Sequence, residues 1–440
     1  MVHTFPMTLP ASLVEAHRVD LASKPSDGWR FAVFDVATAA SGDTYVLGGA
    51  RRYRTPAQPP QDPAERNFTY GMVTRHAPDG TPVDTALFAQ PHPDGSPSAI
   101  PEAGDMTLAV LPDGQVALSE KPGSTFLLSA DLSRVTESWR MPFGWSVEEA
   151  GPGDPYAVSL SVTPSGRLLA VTSEYGLSNW AGAHANIVAV SEPGSALAPG
   201  AKPPLNAIAS LDDRTDRQTD ADLRPYVRYQ GAPVGGANRP SPSLTELVSS
   251  CTRRPYEYRD CWLGRPAPLG DELFVVPVFS RIYRSGNRGG EFTFALLDDQ
   301  GRLTGRLEGL DLYKDSPFTG FCFTVAGDPH RGRAFHLNRY GLYGWTSDGQ
   351  MRARTSTEDE PFKALTHFAL MGCAPAGELL LVHRKQNLLL RVPVPEDLGD
   401  LPAALEDALR TYGTQRTALK KRFTPVNWHW AEASARVHRL

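Results

Sequence analysis

One phrase returns along this chain: an apolar run, a turn built on Gly with Pro, Asp or Ser, and a second apolar run. Its cleanest copy is MTLAVLPDGQVALSE, Met106 to Glu120, where Pro112, Asp113 and Gly114 supply the turn. Gly accepts positive φ and Asp can cap its own turn, so this pattern favours two antiparallel strands joined by a tight connection. Related phrases occur at Phe34 to Gly49, Leu160 to Glu174, Phe323 to Leu337 and Phe368 to Arg384. A hairpin cannot bury both faces alone, so a chain that repeats one must stack its copies around a common core.

Most copies are followed by a second pair of strand-like runs, which makes the unit four strands. The phrase at Phe34 leads to Phe68–Phe88, that at Met106 to Ser124–Met141, and that at Leu160 to Asn186–Glu192 and Asn206–Leu211. Asp271–Ser280 leads to Phe292–Leu310, and the phrase at Phe323 leads to Gly341–Ser356. The last unit, from Phe368 to Pro395, holds three strands and then gives way to helical spacing at Leu401, Leu405 and Leu409. Near the other end, Ser12–Leu21 reads as an unpaired strand. An unpaired edge invites aggregation, and pairing the first strand with the last sheet removes it.

The expected fold is therefore all-β: a β-propeller of six four-stranded blades, closed by an N-terminal strand and followed by a short C-terminal helix. A seventh blade has room between Leu211 and Asp260. One propeller domain is expected over residues 12–395 with a long insertion at 212–259, and a helix and tail over 396–440. Gly and Pro, 39 of each, suit many short strands joined by turns. In this phrasing the chain resembles the β-propeller superfamily, with blades similar to NHL repeats and to the six-bladed gluconolactonase and strictosidine-synthase-like proteins. The resemblance is one of architecture and selects no activity.

With strands named A to D from the centre outward, A-to-B and C-to-D turns share one face, and B-to-C and D-to-A loops share the other. The first set is mostly tight. The second holds the insertions at 50–67, 89–104, 143–155, 175–185, 212–259, 281–289 and 312–320, which marks that face as the functional one. Its loops carry Arg52, Tyr53, Arg54, Trp145, Tyr175, Trp180, Arg228, Tyr229, Arg281, Tyr283 and Arg284. Guanidinium groups beside aromatic rings suit anionic or ring-bearing ligands, although ordered polar loops also use Arg and Tyr for packing. This favours a non-catalytic propeller that binds a protein or glycan partner on the long-loop face.

The alternative is a metal-assisted hydrolase or lyase of the lactonase-like kind. Asp35, Asp105, Asp260 and His367 read as starts of A strands at the channel mouth, where converging carboxylates and an imidazole would suit Ca²⁺ or another divalent cation. The resemblance to six-bladed lactonases implies a cation in this region. Acidic residues also start strands simply to cap turns. The chain has no GxSxG elbow, HExxH motif or phosphate-binding loop. The net charge of −5 speaks against nonspecific polyanion binding by the whole surface, though not by one face, and no nucleic-acid partner is expected. With no leader-like start and no apolar run near the ~20 residues of a membrane helix, a cytoplasmic protein off the membrane is expected, or a secreted one if a leader has been removed.

Overall fold

The computed structural model describes residues 2–4, 29–52, 68–91, 97–98, 107–120, 124–140, 156–174, 186–191, 205–211, 228–229, 232–233, 259–284, 287–310, 325–383, 388–422 and 435–439. They form six antiparallel sheets in a ring, each with its A strand at the channel. Blade 1 runs Trp29–Thr38, Thr44–Arg52, Phe68–His76 and Pro82–Pro91; blade 2 runs Thr107–Val110, Val116–Glu120, Ser124–Leu128 and Val135–Arg140. Blade 3 runs Tyr156–Val162, Leu168–Glu174, Asn186–Ser191 and Leu205–Leu211. In blade 4 the A strand is split into Arg259–Leu263 and Ala267–Pro268, followed by Leu273–Arg284, Asn287–Asp298 and Leu303–Arg306. Blade 5 runs Val325–Asp328, Arg333–Leu337, Leu342–Thr346 and Met351–Arg354, and blade 6 runs Phe368–Ala374, Glu378–His383 and Leu388–Pro393.

The repeated turn behaves as its chemistry demands. In the hairpin at Pro112, the Gly114 amide donates to the Leu111 carbonyl at 2.9 Å and the Leu111 amide donates to the Gln115 carbonyl at 2.8 Å, with Gly114 at φ +86°. That is a type I turn closed by a glycine bulge. Asp113 caps it by accepting from the Gln115 amide at 3.0 Å. Asp79 and Asp348 repeat the same contact in their own turns, accepting from Thr81 at 2.9 Å and Gln350 at 3.1 Å.

The ring is closed as expected by an N-terminal strand, but by an earlier one. Val2–Thr4 pairs antiparallel with Leu388–Leu390 and becomes the fourth strand of blade 6. The segment 12–21, which the alternation singled out for this role, lies outside the described residues. A three-residue strand carries no readable period, so its pairing is decided by the open edge it meets. Between Leu211 and Arg259 the described residues add only the two-residue pair Arg228–Tyr229 and Ala232–Pro233, and the blade count is six.

Each blade buries its faces against its neighbours. Tyr45, Leu47 and Val73 of blade 1 pack with Leu118 and Leu128 of blade 2, and Val171 and Val188 of blade 3 pack with Phe274 and Val276 of blade 4. A side-chain hydrogen bond also crosses every seam. Tyr45 Oη donates to the Ala130 carbonyl at 2.8 Å, the Leu160 amide to Thr107 Oγ1 at 3.0 Å, and Arg167 Nη1 to the Asp271 carbonyl at 2.8 Å. Trp345 Nε1 donates to the Glu308 carbonyl at 2.7 Å, and Arg333 and Arg391 tie blade 5 to Pro395 and blade 6 to Thr44.

The helix α1 (Leu401–Arg422) follows a turn in which Asp397 accepts from the Gly399 amide at 2.8 Å. Leu401, Leu405, Leu409 and Tyr412, spaced three or four apart, are buried with Leu388, Leu390 and Phe368 of blade 6 and with residues of blade 5. No helix among the described residues is long and apolar enough to cross a membrane. The tail ends as a strand: Ala435–Arg439 pairs parallel with Thr85–Ala89 and adds a fifth, outermost strand to blade 1. Trp428 and Trp430 lie outside the described residues.

Candidate functional site

The centre of the ring is held by one ion pair. Strand A of blade 1 begins at Trp29, well before the repeated phrase, so Asp35 stands inside the strand instead of at its start. The register steps from Val33 opposite Gly48 to Asp35 opposite Leu47, leaving Phe34 as a bulge. Bulges re-aim side chains, and this one accompanies a carboxylate that is only 2% exposed. Arg265 Nη1 donates to both Asp35 oxygens at 2.7 Å, and the Val36 and Leu108 amides donate to the same carboxylate at 2.9 and 2.8 Å.

Arg265 sits in the break of blade 4's A strand, between Gly264 and Pro266. Its remaining donors go to the Leu160 carbonyl at 3.1 Å and the Leu108 carbonyl at 2.7 Å. One side chain therefore joins blade 4 to blades 1, 2 and 3, and satisfies backbone groups on the inner edges of A strands that have no neighbouring strand. Burial pushes the Asp35 carboxyl up, while the Arg265 charge and the donated hydrogen bonds pull the other way.

Beyond the brace, toward the tight-turn face, the channel opens into a cavity of about 240 Å³ to which all six blades contribute. Its wall is mostly small and apolar, with Ala37, Ala109, Ala267 and Ala326 beside Pro112, Pro164 and Pro329. Thr38, Ser161, Thr163, Arg265 and His330 are among its polar lining residues.

Of the residues expected to hold a metal, Asp35 is engaged in the brace. His367 is exposed, ends a 3-10 turn, and stacks on His383 with ring centroids 5.8 Å apart. Asp260 has its backbone in strand A of blade 4, and Asp105 lies outside the described residues. Among the described residues no group of three or more His, Cys, Asp or Glu side chains could hold a metal ion.

The expected ligand-binding residues divide in the same way. Tyr53, Arg54, Trp145, Tyr175 and Trp180 lie outside the described residues, and Arg228 and Tyr229 form half of the two-residue strand pair. Arg281, Tyr283 and Arg284 were expected in a loop; they are strand. Blade 4's B and C strands run twelve residues each, pairing down to Tyr283 opposite Arg288 and Arg284 opposite Asn287. Pairing overrides the loop-like look of RIYRSGNRGG.

Arg52 likewise ends a long strand. In blade 1 the uppermost rungs run Trp29–Arg52–Phe68 and Arg30–Arg51–Thr69 across strands A, B and C. In blade 4 they include Asp260–Arg281–Gly290 and Arg259–Ile282–Gly289. The order of contacts around the ring sets blades 1 and 4 on opposite sides of the channel, and both hairpins end on the long-loop face. Sequence reading did not single out Arg265, whose only local sign is its place between Gly264 and Pro266 in a run that otherwise reads as a strand.

No protein-family model matches the chain, and no curated protein sequence matches it. Solved structures similar to it include the WD40 domain of Pan2 from Neurospora crassa, at 7% identity over 81% of this chain and 87% of that one, TM-score 0.36. The WD40 propeller domain of Doa1 aligns at 7% identity over 83% of this chain and 93% of that one, TM-score 0.32, and U3-55K at 7% over 81% and 89%, TM-score 0.35. Nothing is carried over from these proteins; the six-bladed ring rests on this chain's own strand pairing, which bears out the propeller resemblance.

Proposed function

We propose that the chain is a non-catalytic binding propeller that recognises a protein partner through its long-loop face. The observation that carries this reading is the pair of long hairpins in blades 1 and 4, which end on that face with Arg and aromatic residues in their last rungs. Such residues are enriched where proteins meet, because they combine contact area with directional hydrogen bonds. The hydrolase reading asks Asp35 to ligate an ion; its two oxygens are instead engaged by Arg265 and two backbone amides.

The test compares two faces of one folded protein. The full chain is immobilised and partners are captured and cross-linked from a lysate. The same is done with an Arg281→Ala/Tyr283→Ala/Arg284→Ala variant and with an Asp113→Ala/Gln115→Ala variant on the tight-turn face, all checked by melting curve. Capture lost only in the hairpin variant supports the reading. Capture indifferent to the hairpin, or selective binding on a glycan array with no protein captured, overturns it.

A further inference from the structure

We propose that the cavity at the tight-turn end of the channel is a binding site for a small uncharged molecule with an apolar body and a carbonyl oxygen, and that Thr38 donates a hydrogen bond to that oxygen. The site lies at the other end of the channel from the long-loop face and does not depend on the protein-binding reading. Among the described residues three hydroxyls line the cavity, those of Thr38, Ser161 and Thr163. Ser161 Oγ donates to the Pro266 carbonyl at 2.5 Å. Thr163 Oγ1 accepts from the Arg167 amide at 3.1 Å and lies 3.1 Å from Ser165 Oγ. Thr38 is only 8% exposed, and its Oγ1 has no hydrogen-bond partner among the described residues. A buried hydroxyl without a partner is costly, and a ligand oxygen that accepts from it removes the cost.

The rest of the wall selects against charge. Among the described residues Arg265 is the one Arg, Lys, Asp or Glu side chain lining the cavity, and Asp35 already matches its charge at 2.7 Å. An anion would find no unmatched cation there, and a cation no unmatched carboxylate, so either would give up its hydration without compensation. A neutral molecule instead meets apolar surface on Ala37, Ala109, Ala267 and Ala326. At about 240 Å³ the cavity exceeds the ~150 Å³ that takes up benzene in an apolar site. Ala40, Pro112, His330 and Pro375 are exposed at its rim, which gives access from solvent at the tight-turn face. Gly372 keeps part of the space open: a Cβ there would meet one atom within 4 Å, the Val36 carbonyl oxygen at 4.0 Å, and both residues line the cavity. A side chain placed at Gly372 therefore enters the cavity without pushing on the backbone.

The experiment titrates the full chain with para-fluoroacetophenone and follows the probe by fluorine NMR. The comparisons are para-fluorotoluene, which lacks the oxygen, para-fluorobenzoate, an anion, and para-fluorobenzylamine, a cation. The expected result is saturable binding of the ketone, about 2- to 10-fold tighter than the toluene as one hydrogen bond allows, and no binding of the two ions. Thr38→Val keeps the shape of the side chain and should bring the ketone to the level of the toluene without lowering the melting temperature. Gly372→Leu should abolish binding of both, and Gly372→Val, the smaller change in case leucine prevents folding, should weaken both. Arg302→Ala, on an exposed turn of blade 4, should leave binding unchanged. No saturable ketone binding up to about 10 mM would overturn the proposal. So would benzoate binding as tight as the ketone, or ketone binding that is indifferent to Thr38→Val or to both Gly372 variants.

Discussion

Arg265 crosses the channel from blade 4 to hold both carboxylate oxygens of Asp35 on blade 1, 230 residues away in sequence. The pair is almost dry, with side chains 15% and 3% exposed. A buried ion pair of this kind gives little net stability against an apolar replacement, but removing one partner strands the other charge. Arg265→Met and Asp35→Leu should each destabilise the propeller by about 3–5 kcal/mol, and Asp35→Leu/Arg265→Met should lose less than the two single variants combined. Denaturant unfolding of the four proteins closes that cycle, and additive losses would refute the coupling.

Hydrogen bonds from Thr81 hold Asp79, and those from Thr346 and Gln350 hold Asp348, below the usual carboxylate range. A carboxylate whose folded pKa is depressed contributes stability that is fully present above the unfolded value of ~3.9 and disappears as pH falls through the folded value. Stability followed by urea unfolding should therefore show no pH dependence from these turns near neutrality and fall in acid. Asp348→Asn should flatten part of that acid slope; an unchanged slope would remove this turn from the account.

Gly349 sits at φ +82°, and a Cβ there would lie 2.3 Å from the carbonyl oxygen of Arg306. The left-handed backbone alone costs an L-residue about 1–2 kcal/mol, and the contact with a backbone atom adds to it. Gly349→Ala should lower the melting temperature more than Gly270→Ala, whose Cβ would meet nothing within 4 Å. Equal melting temperatures would contradict the close packing of this turn.

Leu405 is fully buried between α1 and blade 6. Leu405→Ala should cost about 2–5 kcal/mol, the range for a leucine whose cavity cannot collapse. A loss of under about 1 kcal/mol would show that α1 docks loosely against the ring.

The C-terminal strand covers the outer edge of blade 1. Truncation after residue 434 should speed hydrogen exchange across Thr85–Ala89 while leaving blades 2 to 6 protected. No change in that stretch would mean that the edge does not depend on this strand.

Much of the ring was legible because its information is local. Pro112-Asp113-Gly114 dictates a turn through the φ preference of Gly and the reach of one carboxylate, and Leu401, Leu405 and Leu409 announce a buried helix face. The hairpin at Arg281–Arg288 reads as a loop because Asn and Gly are poor strand formers taken singly; pairing of the two strands with each other outweighs that preference. Asp35 was noticed for its charge, but its position suggested a strand start, since a bulge at Phe34 leaves no mark in the alternation.

Taken by itself, the sequence determined what depends on near neighbours: hairpin units, tight turns and the C-terminal helix. Only the tertiary structure decided which strand closes the ring, where the tail adds its own strand, and that Arg265 belongs with Asp35. Those choices turn on open edges and buried charges meeting across the closed ring, and the energy of such a meeting depends on distance in space, for which separation along the chain provides no measure.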